Sequence, residues 1–309
     1  MKKSESPTAG CPRSLQRVGL WNSDFLRHSS FVIRHFPALL AIVYWLSTPA
    51  ASAQPLVHAK DGSGIRGYTD TPVQPWSGFR VHDPDRPAPP RVDPGPFTAS
   101  APAPSDAVVL FDGRDLAQWQ SNQWRVVDGC IDAGAGNLVS RESFGDCQIH
   151  LEWMAPTNFT GHLFDQGNNG VLLMGLYEIQ IFDTFHHPLY PDGQCGAVYG
   201  QTPPRVNATR PPGQWQTYDI LFTAPRFADG KLVRPARVTV FHNGVLIHHE
   251  QEIYGETAHR ALPAYTRPQS TGPLALAGHH CPVRFRNIWV RALSAEEERP
   301  ASSAGQRAR

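Results

Sequence analysis

Between Asp106 and Ala292 the apolar positions come in short alternating or continuous runs, separated by glycine, proline and Asn-Gly signals. No helical period competes with them, so the pattern predicts an all-β sandwich rather than a sheet covered by helices. Gln148 to Trp153 alternates strictly, which puts Ile149, Leu151 and Trp153 on a core face and Gln148, His150 and Glu152 on a face too polar to be core. Val238 to His242 and Val245 to His248 flank Asn243-Gly244, a hairpin signal because both turn residues tolerate positive φ. Val283 to Arg291 predicts a further strand whose Phe285, Ile288 and Trp289 belong to the core. Tyr177 to Asp183 reads as a strand that fills the core with Ile179 and Ile181 and turns Glu178 and Gln180 to the other face, roughly 7 Å apart.

The remaining chain divides by composition. The apolar run Phe36 to Leu46, followed by Ala51-Ser52-Ala53, predicts an export signal cleaved before Gln54. The segment ahead of the run is long for a signal. The run is itself shorter than the ~20 apolar residues of a membrane-spanning helix, so no span is expected after cleavage, and the protein is expected in the periplasm or outside the cell. Residues 54–105 include the proline-rich stretch Pro84 to Pro104, expected as an extended linker or a strap on the domain surface, preceded by Lys60 to Val81 with little regular structure. Residues 106–293 form the predicted sandwich, and 294–309 a disordered tail.

A formal charge of +1 with scattered Lys and Arg provides no stripe for a phosphate backbone, which excludes nucleic acid as a partner. No P-loop, glycine-rich dinucleotide fingerprint or G-x-S-x-G motif is present. Cysteines 130, 147, 195 and 281 would survive signal cleavage, and either disulfides or small buried thiols fit them.

Candidate chemistry gathers after residue 168. Glu178 and Asp183 have opposite strand parity, so they meet in one cleft only if a bulge or the strand end reorients the chain. The loop from Tyr190 to Gln201 crowds Tyr190, Asp192, Gln194, Tyr199 and Gln201 between glycines; with Asn169 and Gln180 these supply stacking faces and amides suited to sugar hydroxyls. The pairs His186-His187, His248-His249 and His279-His280 are poor metal clamps, because adjacent strand residues face opposite ways. No cofactor is required by the sequence. The oxygens of Glu178, Asp183 and Asp192 could hold a divalent cation, though no spacing demands one.

Several stretches together resemble one family. Phe111-Asp112-Gly113-Arg114-Asp115-Leu116 with Trp119, Trp124 to Gly129, Asn169-Gly170-Val171, Tyr177-Glu178-Ile179-Gln180, Tyr190-Pro191-Asp192-Gly193-Gln194, Pro212 to Asp219 and Pro282 to Trp289 resemble, in order, the 3-keto-disaccharide hydrolase domain. Gly67-Tyr68-Thr69-Asp70-Thr71-Pro72 and the strap from His82 to Pro94 resemble extensions of some members. The resemblance implies a concanavalin-like, lectin-like jelly roll whose concave sheet binds an oligosaccharide or glycoside, and cleavage of glycosides already oxidised at C3. Such cleavage needs a base at C2, a donor for the enolate oxygen and an acid or metal for the leaving oxygen. Glu178 is the candidate base, Asp183 or Asp192 its acid or orienting partner. His279 lies where the family often has a histidine and is a candidate proton shuttle or enolate donor, although Gly278 stands where many members carry an acid. Two other readings are a retaining glycosidase of laminarinase type, whose signature Glu178 to Asp183 resembles with Gln180 in the central acid position, and a non-catalytic carbohydrate-binding module.

Overall fold

A computed structural model describes residues 56–99, 102–120, 122–157, 161–279 and 281–293. The signal run, Asn158, His280 and the tail from 294 lie outside the described residues. The elements are strands, joined by turns and two single-turn 3-10 segments. In chain order they are β1 (Val57–His58), β2 (Arg66–Gly67), β3 (Val108–Phe111), β4 (Arg125–Val127), β5 (Cys130–Asp132), β6 (Leu138–Phe144), β7 (Cys147–Met154) and β8 (Asn169–Leu173). There follow β9 (Tyr177–Ile181), β10 (Gln216–Thr223), β11 (Arg226–Ala228), β12 (Lys231–Arg234), β13 (Arg237–His242), β14 (Val245–Glu252), β15 (Gly272–Gly278) and β16 (Arg284–Ala292).

Two antiparallel sheets make the sandwich predicted from the alternation. The larger runs β14-β13-β10-β7-β16-β5-β4, with β3 also paired to β16; the smaller runs β6-β15-β8-β9. Alternate residues of both sheets fill the space between: Ile149, Leu151 and Trp153 from β7, Tyr177, Ile179 and Ile181 from β9, and Phe285, Ile288 and Val290 from β16 are all buried in one core. The β13–β14 hairpin turns at Asn243 (φ 54°) and Gly244 (φ 79°), as the Asn-Gly pair predicts.

The outer face of β7 is polar and lies outside the core, as expected. His150 and Glu152 alternate away from the core as predicted, yet they are only 4% and 3% exposed. They tolerate this because they are paired. The His150 Nδ1 lies 2.6 Å from Asp219, Arg286 Nε donates to Glu152 at 2.6 Å, and Asn287 Nδ2 donates to its other oxygen at 3.1 Å. Trp289 stacks over the imidazole at 5.4 Å. Burial alone would lower the His150 pKa, but Asp219 and Glu152 outweigh it and hold the group up to about 9.

All four described cysteines are free and buried, so here the thiol alternative holds and no disulfide forms. Among the described residues no helix is long and apolar enough to cross a membrane.

Residues 56–99 are attached throughout their length and belong to the same compact unit as the sandwich. The strap has little regular structure beyond the short β1–β2 pair, but its polar groups are spent on the domain. Gln74 Nε2 donates to Asp192 and to the Gly200 carbonyl, the Tyr190 N–H donates to the Arg66 carbonyl, the Val92 N–H donates to the Asn207 carbonyl and the Asn207 N–H to the Pro90 carbonyl, both at 2.9 Å. The Trp76 ring stacks on Tyr254 with centroids 4.1 Å apart.

Candidate active site

Because Tyr177, Ile179 and Ile181 point into the core, Glu178 and Gln180 project from the outer face of the smaller sheet. β9 is the edge of that sheet, and the chain from Gly196 to Tyr199 covers the edge. Gln180 N–H donates to Ala197 O at 3.0 Å, Gly196 N–H to Gln180 O at 2.8 Å, and Tyr199 N–H to Glu178 O at 3.0 Å. The strap closes over the same face. Between them lies a cavity of about 370 Å3, within the usual size of small-molecule sites. Phe164, Phe182 and Leu189 are its apolar walls; Glu178, Gln180, Tyr190 and Tyr199 line it together with Asn168 and Thr257, and His259 and His279 stand exposed at its rim.

Glu178 is 8% exposed, and no described group hydrogen-bonds its carboxylate, although its N–H donates to Thr257 Oγ1 at 2.9 Å. Burial alone pushes its pKa up to about 7, where a carboxylate can both be ionised and be basic enough to take a proton from carbon. Gly170, on β8, makes room for it: a Cβ there would lie 2.2 Å from Glu178 Oε1.

Beside the carboxylate runs a chain of hydroxyls and imidazole. Tyr190 and Tyr199 share a hydrogen bond of 3.1 Å, and the Tyr199 hydroxyl lies 3.0 Å from His259 Nδ1. Burial pushes both phenols well above the usual tyrosine range, so they act as donors and not as phenolates. Desolvation, with His82 and Arg260 nearby, pushes the His259 pKa down to about 4. A neutral imidazole has one donor and one acceptor, so this chain can pass a proton in either direction by exchanging tautomers.

Of the ten residues singled out from the sequence, Glu178, Gln180, Tyr190, Tyr199 and His279 meet at this cavity; the other five do not line it. Asp183 lies beyond the end of β9 and caps the following turn, accepting from Phe185 N–H at 3.1 Å, with His186 and His187 against its other oxygen. Asp192 is fully buried and anchors the strap: it accepts from His82 N–H at 3.0 Å and Gln74 Nε2 at 3.2 Å and faces His82 Nδ1 at 3.3 Å. Asn169 turns its amide to the Asn168 and Cys281 carbonyls. Gln194 donates to the Leu189 carbonyl, and Gln201 bridges the backbone of Tyr254 and Gly255. Asp183 and Asp192 therefore have separate partners and Glu178 stands apart from both; among the described residues no three His, Cys, Asp or Glu side chains converge as a cation site.

The cavity also uses Tyr68, from the stretch that resembles an extension of some members, and Asn168, beside Asn169, together with Phe164, Phe182, Leu189, Thr257 and His259, which the sequence pattern did not mark as site residues. Tyr68 and His259 come from segments 191 residues apart, and only the packing of the strap against the 255–265 loop brings them together.

Residues 106–291 match the 3-keto-alpha-glucoside-1,2-lyase-like domain. The chain belongs to this family. A candidate glycosyl hydrolase from Parabacteroides distasonis is 40% identical, covering 71% of this chain and 95% of its own, with a TM-score of 0.60. Two further candidate glycosyl hydrolases from the same organism are 21% and 20% identical, cover 61% and 60% of this chain and 94% and 99% of theirs, and have TM-scores of 0.46 and 0.47. No curated protein matches the chain. The family and its structural relatives place this member of the 3-keto-alpha-glucoside-1,2-lyase-like family among carbohydrate-active enzymes of glycosyl hydrolase type. The match starts at Asp106, so the strap that closes the cavity lies outside it.

Proposed function

We propose that this protein cleaves 3-keto-glycosides by elimination across C1 and C2, followed by addition of water. The observation that carries the reading is that Glu178 is the one carboxylate among the described residues lining the cavity, and that it is unpaired and raised to about 7. A C3 ketone acidifies the neighbouring C2 proton. Glu178 takes that proton, the electron pair forms an enolate, and the C1–O bond breaks as the aglycone oxygen gains a proton. Water then adds to C1 of the unsaturated ketone while the proton returns to C2. One buried base suffices for both halves. The enolate oxygen and the leaving oxygen need donors, and the hydroxyls of the Tyr190–Tyr199–His259 chain and the exposed His279 border the same space.

A retaining glycosidase would need two carboxyls about 5–5.5 Å apart. Asp183, the partner that the strand signature suggested for Glu178, is spent on the turn outside the cavity, so that reading loses its second acid. A purely binding module would have no use for an unpaired buried carboxylate, which costs stability when ionised.

The test is release of p-nitrophenol from the p-nitrophenyl 3-keto-α-glucoside and from its unoxidised parent, with Glu178→Gln alongside. Cleavage of the keto compound alone, abolished by the substitution, supports elimination; cleavage of the parent refutes it. We also propose export, on the strength of the apolar run and Ala51-Ser52-Ala53. Sequencing the mature protein from culture fractions should find Gln54 at its start, and an intact N-terminus in the cytoplasm would refute this.

A further inference from the structure

Tyr68 lies on the strap, 38 residues before the family match begins, yet its ring lines the same cavity as Glu178. Its position is fixed from several sides. The preceding Gly67 is pressed against the strap itself, since a Cβ there would come within 2.3 Å of the His82 carbonyl oxygen and 2.9 Å of the Pro84 ring. The Tyr68 N–H donates to that same carbonyl at 2.9 Å. The Arg260 guanidinium sits 4.2 Å from the ring centroid and is itself held by an ion pair to Asp70 on the strap. His259 presents its ring at 84° with centroids 5.9 Å apart.

The ring is thus heavily constrained while its hydroxyl is not. Tyr190 and Tyr199 bond each other, but no described group hydrogen-bonds the Tyr68 hydroxyl. The hydroxyl oxygen keeps solvent access, so it opens to the cavity and is free to meet a bound molecule. Here the hydroxyl shares the cavity with the unpartnered Glu178 carboxyl, a donor and an acceptor that a bound molecule could engage together.

We infer that Tyr68 is a substrate-contacting residue whose hydroxyl donates a hydrogen bond to a sugar oxygen, so that the strap completes a binding site only partly built by the family-matched sandwich. The inference rests on the carbohydrate reading of this cavity. Arg260, stacked on the ring, and Asp70, paired with Arg260, are positioning residues for it.

Tyr68→Phe keeps the ring and its contact with Arg260 and removes only the hydroxyl. Turnover of the p-nitrophenyl 3-keto-α-glucoside and calorimetric binding of the same compound to Glu178→Gln, with and without Tyr68→Phe, read the two roles separately. The expected result is a loss of about five- to tenfold in kcat/KM and in affinity, the worth of one hydrogen bond, with the melting temperature unchanged. Unchanged turnover and affinity overturn the inference and leave the proposed reaction standing. A melting temperature lower by more than about 5 °C also overturns it, because the hydroxyl would then have a structural partner. If the compound binds without being cleaved by the wild type, and Tyr68→Phe weakens that binding, the inference holds and the elimination reading fails. Neither binding nor turnover by any form overturns both.

Discussion

Gly170→Ala isolates what the placement of the Glu178 carboxylate is worth. The new methyl carbon would lie 2.2 Å from Oε1, 2.7 Å from Cγ and 2.8 Å from Cδ of Glu178, all inside contact distance. The obstructing atoms are the free end of a flexible side chain, so the carboxylate swings aside by about 1 Å and the backbone stays. Gly170 lies within β8 with no positive φ, where alanine is easily accommodated and reduces the entropy of the unfolded chain by about 0.5 kcal/mol. An off-rotamer glutamate costs about 0.5–1.5 kcal/mol. The two nearly cancel, leaving a net cost below about 1 kcal/mol, or a shift of about 2–4 °C at most. Activity has no such compensation: a misplacement of about 1 Å costs roughly 100-fold. kcat/KM on the 3-keto-glucoside and thermal unfolding, measured together, should therefore show a large loss beside a small shift. Gly170→Ala combined with Glu178→Gln should be no slower than Glu178→Gln alone, since both act on one carboxylate. A fully active Gly170→Ala protein would refute the assignment of Glu178, and so would a double variant slowed by the product of the two single losses.

Other outcomes follow from the ionisation of buried groups. With Glu178 raised to about 7, kcat/KM should fall about tenfold per unit below pH 7 and level off above it; a profile flat from pH 5 to 8 would contradict a carboxylate base. The same shift makes folding less favourable as pH rises from 4.5 to about 7, because the unfolded chain ionises first. Glu178→Gln should therefore be more stable than wild type at pH 8, by at most about 3 kcal/mol, and not at pH 5, as read from denaturation midpoints. His150 runs the other way: its stabilisation is complete below its ordinary pKa of 6.5 and lost as pH rises through about 9. Asp219→Asn should lower the melting temperature by a few degrees at pH 6 and by much less at pH 10, and an equal drop at both would rule out the ion pair. Asp192→Ala should cost about 3 kcal/mol by stranding His82 and Gln74, which a midpoint shift under about 1 kcal/mol would refute.

Local periodicity made the strands legible, and with them the outward projection of Glu178 and Gln180. Alternation in β7 and β9 and the Asn-Gly turn are statements about neighbouring residues, which a sequence carries directly. The polar face of β7 was legible as lying outside the core, but its burial was not: His150 and Glu152 are buried because Asp219, Arg286 and Asn287 arrive from other strands, and no local pattern announces them. Asp183 and Asp192 share the residue type expected of an active site, but a turn and the strap claim them. His259 had no distinguishing context and Tyr68 only the likeness of its stretch to an extension of some members, since what matters about them is a contact across 191 positions.

The order of strands in the larger sheet bears on how the protein can be made. β16, the last strand among the described residues, lies inside that sheet between β7 and β5 and also pairs with β3, the first strand of the sandwich. While the polypeptide is still emerging, that sheet is therefore three pieces, β14-β13-β10-β7, β5-β4 and β3 alone, each with an edge that waits for β16. Residues 284–292 are the keystone, inserted only after everything they join has been synthesised. Folding is thus a late, long-range event, slow by the measure of sequence separation and exposed to aggregation until it completes. Losing the last ten residues of the sandwich would remove the middle of the fold, whereas the strap, made first, must wait for the whole body before it has anything to close.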